Sequence, residues 1–516
     1  MSGLLNLTKY WKKMQETSLK KRYSVKLFTN IILGVVNAIL ISIVPKALGP
    51  VAYGQFIYLQ EFFTQAIGLL DMGSSMAFFT KLSARNERKE LITFYFLYSF
   101  FILCLIVGFV YVNHILGFIN YFIPSIPIEY IYMGLVFSFF TWFTQIFIKI
   151  SDAYALTVSV ELIKIGHKII SLLILLFFIY QLTFDIELYY YFNYISLVSF
   201  LFITSWLFIK KDIFKNILSI KLPIMNLIKE FVLYCHPLLI YSIVLLISGF
   251  FDIWLLQRQA GSEQTGFYGL SYSIVAVCFL FANSMTSLII REFSKSYEQR
   301  NLENMRKLFC KYTPMLYSIS AYFAVFISFQ SENVLMIFVD ENFQGAFIVL
   351  VIMAFYPIHQ TYGQLGGSIF YATGNTNLLK NIVLFIIPIS IILTFVFIYI
   401  LNLGALGLAS KMIIIQFLGV NVQLYFNAKI LKFNIAYFIW HQIYSLLFFI
   451  CLAFISSFLF NDIFYLRLPL LEFLLSGLFY TVLVIIFTYI FPQIFATSRD
   501  EIRANLTKVR RYVIKK

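Results

Sequence analysis

The sequence predicts an all-α polytopic membrane protein of about fourteen transmembrane helices, and three observations carry that prediction. First, 61% of its residues are hydrophobic and 12% charged, with a mean hydropathy of +0.85. A water-facing surface of this size needs far more polar residues, so a soluble domain is excluded. Second, the apolar runs are about 20 residues long and continuous rather than alternating. Inside lipid the backbone must satisfy its own hydrogen bonds, and continuous runs of that length do so as helices rather than as strands of a closed barrel. Third, lysine and arginine are distributed unevenly between the two sets of connecting loops.

Taken in order, the apolar segments lie at approximately 27–45, 55–79, 91–116, 128–150, 158–180, 188–209, 230–256, 266–290, 312–330, 345–371, 379–401, 404–426, 437–460 and 469–491. Residues 1–26 precede them with seven lysines and arginines interleaved with Leu4, Leu5, Leu7, Tyr10 and Trp11, the composition of a basic amphipathic segment lying on an anionic leaflet. Thirteen more apolar runs follow the first, which reads as an uncleaved span rather than a removed signal. With the N-terminus inside, the inner segments hold 33 of the 39 lysines and arginines, and the outer loops hold Lys46, Arg258 and Arg467. Positive charge gathers on the cytoplasmic side, so this split predicts an even number of spans with both termini cytoplasmic. The net charge of +15 thereby becomes a topology signal that requires no nucleic acid.

The stretch Pro45-Lys46-Ala47-Leu48-Gly49-Pro50-Val51-Ala52-Tyr53-Gly54 breaks the first two apolar runs apart. A shift of 212 positions places Lys46 on Arg258, Gly49 on Gly261 and Gly54 on Gly266 without a gap. Each copy follows one membrane-length segment and precedes another, which suggests two similar halves.

A charged side chain at mid-bilayer costs about 2.5–3.5 kcal/mol, so polar residues inside spans are functional candidates. In the second segment Thr64, Gly68, Asp71 and Ser75 share a helix face, with Glu61 a turn earlier. In the fifth, Glu161, Lys164, Lys168 and Ser171 form another stripe beside His167. Glu161 and Lys164 also read as an ordinary i, i+3 ion pair. Asn30, Gly34 and Asn37 share a face of the first segment. Asp252 lies ahead of Arg258, open to an outer-mouth pair with it or to solvation at the interface. The tenth segment is broken and glycine-rich, carrying Pro357, His359, Gln360, Gly363, Gln364, Gly366 and Gly367, an interruption tolerated only where protein or a wet cavity covers the freed backbone. Lys411 and Gln416 mark the twelfth segment, and Glu472 in the last is expected to snorkel outward. The candidate cationic cavity is Lys46, Lys164, Lys168, Arg258 and Lys411, with Asn30, Asn37, Gln360, Gln364 and Gln416 as polar lining. Glu61, Asp71, Asp252 and His359 are the ion-coupling candidates. A cationic lean suits anionic cargo, since Lys and Arg can replace the water that phosphate or acidic sugar loses.

No Walker A, GxSxG, HExxH or DxD motif is present, the five cysteines lack metal-type spacing, and the largest predicted outer loop, around 331–344, carries Glu332, Asp340 and Glu341 alone as acids. The expectation is therefore a non-enzyme without cofactor, metal or disulfide. The stretches Phe28-Thr29-Asn30-Ile31, Leu48-Gly49-Pro50, Tyr53-Gly54-Gln55-Phe56, Ala372-Thr373-Gly374-Asn375-Thr376 and Leu403-Gly404-Ala405-Leu406-Gly407 resemble the polysaccharide flippase (Wzx-like) branch of the multidrug/oligosaccharidyl-lipid/polysaccharide exporter superfamily. The resemblance extends over nearly the whole chain by span number, spacing and polarity. It implies two pseudo-symmetric six-helix lobes, 27–209 and 230–430, joined by a basic linker 210–229 and followed by extra helices within 437–491 and a basic tail 492–516. It further implies alternating access in a bacterial inner membrane and an undecaprenyl-pyrophosphate-linked oligosaccharide as substrate. H+ or Na+ would be the coupling ion, and a polysaccharide polymerase a possible partner. A lipid II flippase, with fourteen spans and a cationic cavity, is the near alternative. A multidrug or cation antiporter would typically stop at twelve spans and prefer acidic residues, and a polymerase would need catalytic residues in an outer loop.

Overall fold

The computed structural model describes residues 19–84, 87–215, 217, 222–279, 289, 292–293, 296–297, 299–339, 341–463, 468–501 and 503. Most of the basic segment 1–26 and of the tail 492–516, part of the linker 210–229 and the end of the segment 266–290 lie outside the described residues. Among the described residues the structure is helical, without strands. The helices are α1 (Leu19–Asp71), α2 (Ser74–Ala84), α3 (Glu90–Ile115), the short α4 (Ile119–Phe122), α5 (Ile128–Ala153), α6 (Thr157–Gln181), α7 (Ile186–Lys210) and α8 (Ile224–Val275). They continue as α9 (Leu302–Phe329), α10 (Ser331–Phe338), α11 (Phe347–Met353), α12 (Tyr356–Ala372), α13 (Thr376–Thr394), α14 (Gly404–Leu431), α15 (Ile435–Ser457) and α16 (Pro469–Ile490).

Among the described residues ten helices are long and apolar enough to cross a membrane, and the pair Glu341–Met353 and Tyr356–Ala372, bent by 42°, is an eleventh when counted as one broken span. Two helices are longer than one crossing. α1 has 53 residues and breaks at Gly49 (φ 73°, ψ 168°), and α8 has 52 and breaks at Gly261 (φ 80°, ψ −178°). That backbone region is closed to residues with a Cβ, so glycine is required at both breaks. The predicted class of about fourteen helices in two similar halves with two further C-terminal helices stands.

The chain divides into two compact units. One takes the chain up to Leu40 with Leu59–Leu246, and the other takes Ile41–Tyr58 with the chain from Ile247 onward. The segment around the first break thus groups with the second unit, a placement that reading the spans as consecutive blocks did not foresee. Its reason is a backbone crossing. A Cβ on Gly54 would stand 1.7 Å from the Ser262 carbonyl oxygen, and one on Gly266 would stand 2.4 Å from the Pro50 carbonyl oxygen. Pro50 and Ser262 are themselves related by the 212-residue shift. The two copies of the break therefore pack reciprocally, each laying its glycine on the other's carbonyl, as two elements related by a local two-fold do.

The first unit's core centres on Tyr95, which stacks on Phe78 at 4.5 Å between ring centroids and packs with Ile146, Phe147 and Phe208. The second unit's core runs through α9, α12, α15 and α16, around Phe309, Tyr317, Tyr362, Phe449 and Tyr480. The C-terminal pair α15 and α16 is fastened to this core by polar groups. Gln330 donates to Ser457 at 3.0 Å and Ser476 at 3.2 Å, and Asn333 donates to Gln330 at 2.8 Å and to Glu472 at 2.7 Å. Glu472 is 9% exposed. The expectation that it snorkels is corrected: the Asn333 amide donates to the carboxylate inside the bundle, which weakens the drive to reach the interface.

Candidate functional site

In the first unit α1 ends at Asp71, and Met72 and Gly73 at φ 48° and 77° turn the chain into α2. Asp71 is 7% exposed and receives four donors: Ser74 Oγ at 2.8 Å, the Ser75 amide at 3.1 Å, Ser75 Oγ at 2.9 Å and Tyr95 Oη at 2.6 Å. The carboxylate thus caps the first turn of α2 and closes a helix break within the predicted second span. The predicted stripe does not run as one face, because the helix stops between Gly68 and Ser75. Thr64 is exposed, while a Cβ on Gly68 would meet Leu246 at 3.2 Å. Asp71→Ala is expected to cost about 2–3 kcal/mol, since it removes a cap and charge-assisted bonds together. Asp71→Asn, which keeps an acceptor oxygen, should lose clearly less in a thermal unfolding series on the detergent-solubilised protein. Equal losses would set the cap account aside. Glu61 is half-buried and has no hydrogen-bond or ion-pair partner among the described residues.

On α6, Lys164 Nζ lies 3.1 Å from both oxygens of Glu161, whose side chain is 2% exposed against 21% for Lys164. This is the i, i+3 pair that the sequence left open, and it neutralises Lys164. Lys168, one turn further, is half-buried and has no carboxylate partner among the described residues. His167 meets Ser199 at 2.9 Å. Asn30 and Asn37 are exposed.

A cluster at the ends of the helices escaped the sequence reading. Glu230 of α8 receives Lys81 at 2.9 Å and both terminal nitrogens of Arg88 at 3.1 and 3.2 Å, and Arg88 Nε reaches Glu90 at 2.8 Å. The Glu230 carboxylate, ahead of Glu90, holds the Arg88 guanidinium further above its ordinary value. Sequence distances of 149 and 142 residues gave no signal for it.

In the second unit Lys411 of α14 is ion-paired with Asp252 of α8, their side chains 3% and 13% exposed. Thr394 donates to the other Asp252 oxygen at 2.6 Å, and Ser390 lies 3.4 Å from Ser248 beside it. The two readings held for Asp252, a pair with Arg258 or a solvated interface group, both give way: α13 and α14 enclose the carboxylate and Lys411 supplies its counter-charge. Arg258 is exposed and lies over the Trp254 ring at 5.3 Å. Lys46 lines a cavity of about 700 Å³ with Glu332, Glu341, Gln344, Leu335 and Phe347. Arg258 does not line it, so the structure does not bring this matched pair of cations into one cavity rim. Gln360, Gln364 and Gln416 are half-buried where α12 meets α14, and the Gln416 amide nitrogen would sit 2.9 Å from a Cβ on Gly363. His359 is buried, its ring edge-on to Phe417 at 5.2 Å.

The predicted cations therefore divide. Lys164 and Lys411 are compensated by carboxylates, Lys46 shares its cavity with two glutamates, and Lys168 has no carboxylate beside it among the described residues. The bundle thus holds charged groups inside a set of apolar helices. The solved structures similar to the chain include a flippase and multidrug transporters. Lipid II flippase MurJ in an inward closed conformation matches with a TM-score of 0.63 and 16% identity, over 90% of this chain and 98% of that one. Multidrug resistance MATE family transporters of the MOP superfamily match in inward-facing and outward-facing conformations, with TM-scores of 0.58 and 0.54 and identities of 16% and 17%. Each covers 81% of this chain, against 96% and 97% of its own. The chain thus has the fold of MOP superfamily transporters. No family profile matches the sequence, and no curated protein does.

Proposed function

We propose that the chain is a flippase that moves lipid-linked oligosaccharide repeat units across a bacterial inner membrane by alternating access, without enzymatic activity of its own. The observation that carries this reading is the extent of the likeness to a lipid II flippase, 90% of the chain against 81% for the multidrug transporters. A lipid II flippase moves a lipid-linked precursor, and two helices beyond twelve suit such cargo better than a small drug. Lys168, a lysine without a carboxylate beside it among the described residues, supports an anionic head group, because an ammonium replaces part of the hydration that a pyrophosphate loses on leaving water. In this reading both termini are cytoplasmic, H+ or Na+ drives the cycle, and a polymerase receives the product.

The test is a deletion strain. Lipid-linked repeat units should accumulate facing the cytoplasm while surface polysaccharide disappears, and the intact gene should restore it. Lys168→Ala should lower that restoration about tenfold, the loss expected when a charge-assisted contact to cargo is removed, whereas Lys429→Ala, an exposed lysine over Tyr425, should stay within about twofold. Normal surface glycan after deletion, in a strain without a second flippase, would refute the reading. Rescue of a strain depleted of its lipid II flippase would instead favour the peptidoglycan precursor as cargo, the second reading that the MurJ likeness supports.

A further inference from the structure

Unpartnered buried polar atoms gather around one ring of the second unit. Tyr317 of α9 is fully buried, flanked by His359 of α12 at 6.0 Å and His441 of α15 at 5.8 Å between ring centroids, with Tyr362 edge-on at 5.0 Å. His359 Nδ1, His441 Nδ1, Tyr362 Oη and Gln442 Oε1 are all buried without a hydrogen-bond partner among the described residues. A buried polar atom left unpaired costs about 1–3 kcal/mol. Apolar side chains of the same volume would make a better core, so packing alone does not account for four such atoms around one tyrosine.

The arrangement has a direction. His441 Nε2 lies 2.9 Å from the Ile494 carbonyl oxygen, an acceptor, so this nitrogen donates and carries the ring's proton. His441 Nδ1 is then the basic, unpartnered atom of the neutral imidazole. Tyr437, whose ring lies 6.3 Å from that of His441, lines a surface cleft of about 460 Å³ with Lys307, Lys311, Gln493 and Glu501. On the far side of Tyr317, His359 abuts Phe417, which is 46% exposed. A path of ring contacts thus leads from an open cleft at the C-terminal end of the bundle through His441 and Tyr317 to His359 inside α12. The titratable groups facing the pair are Cys310 and Tyr317 of α9, Tyr362 of α12, and Tyr437 and Tyr444 of α15. No carboxylate or ammonium lies within hydrogen-bond distance of either imidazole among the described residues.

We propose that His359 and His441, on either side of Tyr317, form a two-site proton-binding centre loaded from the cleft at Tyr437. Loading adds one N–H bond at His441 Nδ1 and one positive charge, and unloading returns the proton to water, with no electron transferred. One imidazolium in this apolar pocket disfavours a second, so the two rings titrate as a coupled pair. With the transport reading above, on which this use rests, the centre makes the proton the coupling ion.

The test needs no substrate. The full chain, labelled with 15N-histidine and held in lipid nanodiscs, is titrated by NMR from about pH 4 to pH 9, a range that brackets the ordinary histidine midpoint, with the signals assigned through His359→Gln and His441→Gln. Both rings are expected to change protonation state, and each substitution should shift the other's midpoint at least threefold in proton affinity. Tyr362→Phe, which keeps the ring and should fold if a histidine variant does not, is expected to move the His359 midpoint. Rings that stay in one state across the range, or midpoints that ignore the second histidine and Tyr362, would overturn the centre. That outcome leaves the flippase reading untouched, and a deletion strain with normal glycan leaves the titration untouched.

Discussion

Lys411→Ala is expected to destabilise the second unit by about 3–5 kcal/mol, because it strands the Asp252 carboxylate in a low-dielectric site without its counter-charge. Thr394 alone, donating at 2.6 Å, cannot replace an ammonium. The double variant Asp252→Asn with Lys411→Met should recover most of the loss, since a neutral pair of similar volume no longer carries the desolvation penalty that the ion pair offsets. Thermal unfolding of the wild type and the two variants in one detergent makes the comparison. If Lys411→Ala unfolds with the wild type, the pair carries no structural weight and Lys411 is available to cargo. The comparison matters for function because a lysine whose charge is already matched cannot also anchor an anion without breaking that match.

Gly54→Ala and Gly266→Ala are each expected to cost about 3 kcal/mol or more, the upper end of overpacking, because the added methyl meets backbone rather than a rotatable side chain. At 1.7 Å from the Ser262 oxygen and 2.4 Å from the Pro50 oxygen, neither methyl fits unless the helices separate. Gly166→Ala on α6 is the matched control: nothing lies within 4 Å of its Cβ position, so it should be neutral or stabilise by about 0.5–1 kcal/mol. The yield of monodisperse protein in detergent and its unfolding temperature read both effects. A Gly54→Ala protein as stable as the control would mean that the two breaks do not pack as the structure has them.

The crossing was half legible in the sequence. The 212-residue shift aligns Gly49 with Gly261 and Gly54 with Gly266, and the first pair are two breaks in the same backbone conformation. That Gly54 and Gly266 touch each other was not legible, because a repeat says that two stretches are alike and not that they meet. Glu472 was misjudged for a related reason. Hydropathy places it near a helix end, and the donor that holds it inside, Asn333 of α10, is 139 residues away in sequence. His441 drew no notice because its significance lies in sharing Tyr317 with His359.

The amino-acid order by itself determined the class, the spans, the breaks and the repeat. The first three are written within a window of about 20 residues, where the backbone's need for hydrogen bonds in lipid leaves helix as the solution and glycine as the residue that can interrupt it, and the repeat is two such windows compared. The tertiary structure alone decided which charges are free. Asp252 and Lys411 are 159 residues apart, and Lys46 is nearly twice as far from the glutamates that share its cavity. In a low-dielectric interior a charge takes its meaning from the nearest opposite charge, and helix packing brings that partner from anywhere in the chain.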